Sequence, residues 1–337
     1  MSPGNWHVGE GEAGVRLDRA VAARVDLPRN QIQEWIRAGH LTVDGVAQPK
    51  PGHLLRAGEQ IAWNPPARGE SRVLAEEGEL RLLYEDDDLV VLDKPAGLTV
   101  HPGAGQATGT LAHRLLARFP EMAGVGGPGR PGIVHRLDKG TSGVIVVART
   151  AESYRALTAA FAARRIGKRY LAIVHGTPKL AQGTIEAPIG RHASERKKMT
   201  VRSDGRPATT RYRTIASAAG LALVELELLT GRTHQIRVHL KHLRHPIVGD
   251  TTYGEARHHE LAAAPGRTVR VFPRPALHAW RLAFEHPRTG AAMRFEAPLA
   301  EDMHLLWLAL AGVEPHLPSD FGAPSDPSEP SNLNDPR

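Results

Sequence analysis

Apolar positions along the chain follow two different periods. Between residues 15 and 36 they recur at helical spacing: Leu17, Ala20 and Val21 stand at i, i+3, i+4 with Arg16, Arg19 and Arg24 around them. Ile32, Trp35 and Ile36 repeat the set after Pro28, with Gly39 as a stop. From Leu41 the pattern changes to strands. Leu41-Thr42-Val43, the dipeptide Asp44-Gly45 and Val46 predict a tight hairpin, and Gln60 to Trp63 a closing strand. Leu89 to Leu92 and Val144 to Val147 are continuous apolar runs of strand length. Tyr170 to Val174 predicts another strand, then Thr209 to Ile215 and Leu221 to Leu229 across Ala218-Ala219-Gly220, in antiparallel succession. Ala279 to Glu285 and Ala292 to Ala297 form a further expected hairpin. Helices are predicted over Gly109 to Phe119, after Thr150 as N-cap through Tyr154, Leu157 and Phe161, and around Met303, Leu306 and Leu310. The sum is an α+β fold with a mixed, mainly antiparallel sheet and flanking helices.

Changes in composition divide the chain. Residues 1–13 are Gly-rich and polar and predict a flexible leader; 14–63 hold the two helices and small β ribbon. Residues 64–79, rich in Pro, Gly and charge, predict a linker, and 80–312 a second domain. Residues 313–337 are nearly devoid of apolar side chains and predict a disordered acidic tail. The formal charge of +7 is unevenly spread: residues 160–241 hold sixteen Lys or Arg against five Asp or Glu, while 313–337 hold five acids and one Arg. A polyanionic partner would sit against the first of these segments. The absence of cysteine excludes disulfides, thiol nucleophiles and thiolate zinc sites. No basic start leads into an apolar core and no membrane-length apolar run occurs, so a cytoplasmic protein without a membrane partner is expected.

The chemistry concentrates at His135 to Gly143, HRLDKGTSG, which feeds the apolar run from Val144. Asp138 stands there between Arg136 and Lys139, cations that favour its ionised form and offer sites for a polyanion. By spacing alone it is either a turn-capping residue or a working carboxylate.

Other strings weigh on that choice. Lys168-Arg169-Tyr170-Leu171-Ala172, Gly231 to Leu240 (GRTHQIRVHL), Asp93 to Gly97 with His101 to Gly103, and His245 to Asp250 occur in a fixed order around it. Together they resemble the motifs of the RluA-type pseudouridine synthases, over about residues 14 to 312. The resemblance implies an RNA-modifying isomerase whose N-terminal segment is an alpha-L RNA-binding module, named after small-subunit ribosomal protein S-four. It implies Asp138 as the catalytic carboxylate, Tyr170 as the residue that packs on the target base and serves the C5 proton, and Arg237 as the basic partner of Asp138. Asp138 could attack C1′ or remove the C2′ proton, and the sequence leaves both open. Arg136 matches the residue that fills the gap left by a flipped uridine. Lys139, Arg164, Arg165, Lys168, Arg169 and Arg232 are expected phosphate contacts. Within the family the likeness is greatest to the bacterial large-subunit rRNA enzymes, so 23S rRNA, free or in the assembling large subunit, is the expected partner of a monomer, with other rRNA or tRNA uridines as the alternative.

Two further classes compete. A non-catalytic rRNA-binding assembly factor has no need of Asp138, Tyr170 and Arg237 together, and a glycoside hydrolase needs a second carboxylate that the motifs do not supply. His239, His242 and His245 are spaced like metal ligands, but Ile236, Leu240 and Leu243 read as the apolar face of the same segment, so no metal is expected. No nucleotide-binding fingerprint occurs and no cofactor is expected.

Overall fold

The computed structural model describes residues 3–319 apart from 26, 28, 48–49, 66–72, 104–105, 128, 196–197 and 255–256. Residues 127–129 aside, the chain divides into two compact units between residues 72 and 73. In the first, β1 (Gly4–His7), α1 (Leu17–Val25), α2 (Arg29–Arg37), β2 (Leu41–Val43), β3 (Val46–Ala47) and β4 (Gln60–Trp63) follow one another. The strands form an antiparallel sheet in the order β1-β4-β2-β3. The helices lay Leu17, Val21, Ile32, Trp35 and Ile36 against Leu41, Leu55 and Ile61, so the helical periods read from the sequence are the core-facing stripes. Asp44 and Gly45 turn the hairpin with φ 50° and 77°, the positive pair a tight two-residue turn requires. Asp18 is buried on α1; burial alone would raise its carboxyl, but bonds from Arg16, Gln33 and Arg29 hold it at about 2.

The flexible leader expected over residues 1–13 is a mistaken expectation for its described residues, 3–13. Residues 4–7 pair with 60–63, Val8 is buried, and Trp6 packs on Trp63 at 5.8 Å between ring centroids. Trp63 lies so close over Gly4 that a Cβ there would meet it at 2.4 Å. A polar, Gly-rich segment therefore orders because it completes an otherwise open sheet edge with backbone bonds and one aromatic contact. Pro28 and residues 66–72 of the expected linker lie outside the described residues, as do 320–337 of the expected tail.

The second unit contains β5 (Leu82–Glu85), β6 (Leu89–Lys94), α3 (Leu111–Arg118), β7 (Ser142–Ala148), α4 (Ala151–Ala162), β8 (Gly167–His175), β9 (Gln182–Glu186), β10 (Ile189–Arg191), β11 (Met199–Val201), β12 (Thr209–Ala218), β13 (Leu221–Leu228), α5 (Gln235–His242), α6 (Ala263–Val271), β14 (Leu277–Glu285), β15 (Ala292–Glu296) and α7 (Glu301–Ala311). Nine strands make one sheet in the order β5-β6-β7-β14-β8-β13-β12-β9, with β15 added to β14. β14 and β7 run parallel and the other pairs antiparallel. Both faces of this sheet are covered. Val90, Leu92, Ile145 and Val147 face one core with Leu115, Trp280 and Trp307, while Leu89, Val91, Val144 and Val146 face another with Leu157, Leu282 and Phe284. That is why β6 and β7 are written as unbroken apolar runs instead of alternating ones. Thr150 caps α4 as expected, its Oγ1 accepting from Ser153 N at 3.1 Å.

β7 begins where the motif ends. Gly143, at φ 111°, lies against β14 so closely that a Cβ would be 2.1 Å from Ala279 O, so only glycine lets the parallel pair form at the mouth of the motif loop. α6, ending in Val271, escapes sequence detection because Pro265 and Gly266 read as a loop; Pro265 sits in the first turn, where its missing N–H costs nothing. Among the described residues no helix is long and apolar enough to cross a membrane.

Candidate active site

The loop carrying Asp138 is fixed from three sides. Thr141 N–H donates to Asp138 O at 3.0 Å, Gly97 N–H to Lys139 O at 2.7 Å, and buried Arg274 to Gly140 O at 3.1 Å while also bonding Asp302 with two nitrogens. The string Asp93 to Gly97 is thus a brace for the Asp138 loop. Lys94 ends β6 beneath it, its Nζ donating to Pro95 O at 2.8 Å and Leu98 O at 2.9 Å. Burial, then the charge of Arg274, bring its ammonium down from 10.5 to about 7, against the opposing pull of Asp138 and Asp93. Between those two pH values the unfolded chain holds a proton that the folded chain gives up. The contribution of Lys94 to stability should therefore rise with pH across that window, and Lys94→Met should flatten this part of the pH dependence in paired denaturation series.

Asp138 opens on a cleft of about 620 Å³ lined by residues of the β7 approach, α4, β8, β13 and α5. Arg237, on the first turn of α5, brings Nη1 to 3.1 Å from Asp138 Oδ2. Its other face is gripped by Asp250, with Nε at 2.7 Å from Oδ2 and Nη2 at 2.8 Å from Oδ1. Burial opposes the charge of this guanidinium, but the Asp250 bonds and the nearby Asp138 outweigh it and hold the proton more firmly than usual. Tyr170 lies on the cleft floor, 9% exposed, with its hydroxyl pushed above the ordinary tyrosine value by burial and then by Asp138. His135 stacks on Phe161 at 4.6 Å between centroids and accepts from Val146 N at 3.0 Å; burial and then Lys168 lower it to about 3, so it is neutral.

Arg136, Arg164, Lys168 and Arg232 line the same cleft, joined by Arg206, which no motif had marked. Arg232 is anchored through Nε to Pro207 O at 3.1 Å, and burial, then Arg206 and Arg164, lower its hold on its proton. Lys139 is exposed on the loop, outside the lining. Arg165 and Arg169 do not reach the cleft: Arg165 lies 3.6 Å from Glu285, and Arg169 bonds buried Glu225 at 2.6 Å. The strand period explains this for Arg169, because Lys168 and Tyr170 project from one face of β8 and Arg169 from the other. The spaced histidines also part company. His239 is buried between Thr210 Oγ1 and Ala187 O, and His245 lies past the end of α5 against His175 O.

Besides Arg206, three residues escape sequence reasoning: His234, which lines the cleft 3.8 Å from Asp138, and, behind Arg237, Asp250 and Tyr253, whose ring lies 4.8 Å from the guanidinium carbon. The string His245 to Asp250 contained the only available signal for Asp250, an acid after a glycine within a motif already matched.

Residues 88–242 match the family of RNA pseudouridylate synthases and residues 15–61 the S4 domain. The ribosomal large subunit pseudouridine synthase D of Xanthomonas campestris is 44% identical over 310 residues, covering 90% of this chain and 91% of its own. The chain is an RluA-type RNA pseudouridine synthase. It isomerises uridine in RNA to pseudouridine. The synthase is also 44% identical to the enzyme of the same name from Pseudomonas aeruginosa, over 88% of this chain and 91% of that one. An RNA pseudouridine synthase of Bacillus subtilis, YlyB, is 41% identical over 87% of this chain and 93% of its own. Among solved structures, human RNA pseudouridylate synthase domain containing 1 superposes with a TM-score of 0.54 at 31% identity, covering 72% of the synthase and 91% of the human chain.

Proposed function

We propose that the synthase modifies uridines of large-subunit (23S) ribosomal RNA, with Asp138 as the carboxylate that acts on the ribose. The site assignment is carried by one observation: Asp138 is the sole acidic group among the described residues that line the cleft, and the charged side chains around it there are Arg and Lys. Forming pseudouridine breaks the N1–C1′ bond, turns the freed uracil and joins C5 to C1′, with no redox change. A carboxylate can serve that sequence by attacking C1′ or by removing the C2′ proton, and in either case it must offer an unshared electron pair toward the sugar. Arg237 holds Oδ2, which orients the group and leaves Oδ1 to react.

Tyr170 is the proposed platform for the base, its buried ring suited to stacking and its hydroxyl to the C5 proton. Arg136 takes the place of the flipped nucleotide in the RNA stack. Arg164, Lys168, Arg206 and Arg232, with Lys139 at the edge, contact phosphates and so position RNA without reading it. Residues 14–63 of the first unit supply additional RNA affinity, in keeping with their S4 match. The choice of 23S rRNA, and with it of a protein acting in the cytoplasm, draws on the names of the relatives, ribosomal large subunit synthases.

The test is tritium release from transcripts labelled at uridine C5, comparing 23S rRNA with tRNA, followed by mapping of the modified positions. Release from 23S transcripts at a small set of uridines, with no free uracil, is the expected result. Release from tRNA alone would overturn the rRNA assignment.

A further inference from the structure

Besides Arg237, one more group addresses Asp138. His234 precedes α5 in a left-handed conformation, φ 57° and ψ 21°, unusual for a residue other than glycine. This backbone turns the ring so that Nε2 stands 3.8 Å from Asp138 Oδ2 and Nδ1 stands 2.7 Å from the Tyr253 hydroxyl oxygen. The direction of the second bond follows from Tyr253. Its oxygen already accepts from Met199 N–H at 2.7 Å, so its own proton is free to go to His234 Nδ1. A neutral imidazole that accepts at Nδ1 carries its proton on Nε2, the nitrogen facing Asp138. Burial, the largest influence, and Arg237 lower His234 below the ordinary histidine value against the pull of Asp138, so the neutral ring is the expected form.

Tyr253 is itself fixed. Its N–H donates to Asp250 Oδ1 at 3.1 Å, Gly254 N–H closes the turn on Asp250 O at 2.7 Å, and its ring packs with Ile189, Ala208 and Val238. A Cβ on Gly254 would come within 2.3 Å of Asp250 O, so the turn is tight. One short turn, residues 250–254, thus sets both neighbours of the carboxylate: Asp250 grips Arg237, and Tyr253 grips His234.

We propose that Tyr253 locks His234 in the Nε2–H tautomer, so that His234 and Arg237 both present donors to Asp138 Oδ2 and Oδ1 is left as the reacting oxygen. The proposal rests on Asp138 being the catalytic carboxylate. His234 and Tyr253 are positioning residues; neither exchanges a proton with the substrate. The gap of 3.8 Å is longer than a hydrogen bond, and a small rotation of the Asp138 carboxylate would close it.

The lock can be read without turnover. In the ¹⁵N-labelled full chain, two-bond ¹H–¹⁵N spectra at pH 7 should show His234 as Nε2–H, its signals identified by their loss in His234→Gln. Tyr253→Phe, which keeps the packed ring, should give a mixture of tautomers. A wild-type Nδ1–H form, or an unchanged tautomer in Tyr253→Phe, overturns the lock whatever Asp138 does. In turnover, Tyr253→Phe should lower kcat roughly tenfold with KM little changed. His234→Gln, whose amide N–H can reach the Nε2 position with no tautomer to fix, should lose less than His234→Asn. Adding Tyr253→Phe to His234→Gln should then cost almost nothing more, and full additivity of the two losses would count against the coupling. Asp138→Asn in the same assay separates the two ideas: if it stays active, the catalytic assignment fails while the tautomer result stands by itself.

Discussion

Asp138→Asn is expected to cut tritium release by about 10⁴-fold or more, to background, while RNA affinity stays within about twofold of wild type. The amide has the size of the carboxylate and still offers Arg237 an oxygen, so the loop between Gly97 and Arg274 has no reason to move. It has neither the charge nor the available electron pair to attack C1′ or accept the C2′ proton, so the chemical step loses its agent. The proposed phosphate contacts, Arg164, Lys168, Arg206 and Arg232, lie elsewhere in the cleft, and removing a negative charge from among phosphates does not weaken them. Filter binding and single-turnover tritium release on one preparation make the comparison. Activity within tenfold of wild type would remove Asp138 from the chemistry and send the search to the cleft's histidines.

How far the sequence could be read depended on whether a signal was local. β7 and the loop before it were legible because a long apolar run follows HRLDKGTSG directly, and the same holds for the paired runs of β12 and β13. Asp138 and Arg237, which are 99 residues apart, could be put together only through the resemblance, since no period or spacing links them; the structure brings them to 3.1 Å. Charge counting located the basic face but not its members. It treated Arg164 to Arg169 as one cluster, whereas the strand sends Arg169 to Glu225 and Lys168 to the cleft. Arg206, beside a proline in a polar stretch, carried no local mark at all. β1 was invisible for the opposite reason: its order is conferred by β4, some fifty residues later, and not by its own polar sequence.

Asp250→Asn should prove nearly as informative as loss of Asp138 itself, lowering kcat by about 10²-fold with little change in KM. Asp250 takes four bonds: Oδ1 accepts from Arg237 Nη2, Thr252 N and Tyr253 N, and Oδ2 accepts from Arg237 Nε. An amide can keep its oxygen toward the three donors at Oδ1, but its NH₂ then faces Arg237 Nε, donor against donor in a buried place. Reversing the amide leaves two backbone N–H groups and Nη2 facing a donor, which is worse. Arg237, almost fully buried and now short of one countercharge, has Asp138 as its nearest remaining carboxylate, and should swing to bond it with two nitrogens. That motion would occupy Oδ1, the oxygen proposed to act at the ribose, while leaving the proposed phosphate contacts in place. The chain should also lose about 2–3 kcal/mol of stability from the unmatched donor, measurable by urea denaturation. A variant that loses stability but keeps full kcat would show that Arg237 needs no grip from Asp250 to serve Asp138. One that loses kcat and binds RNA normally would locate the function of this turn in aiming the carboxylate.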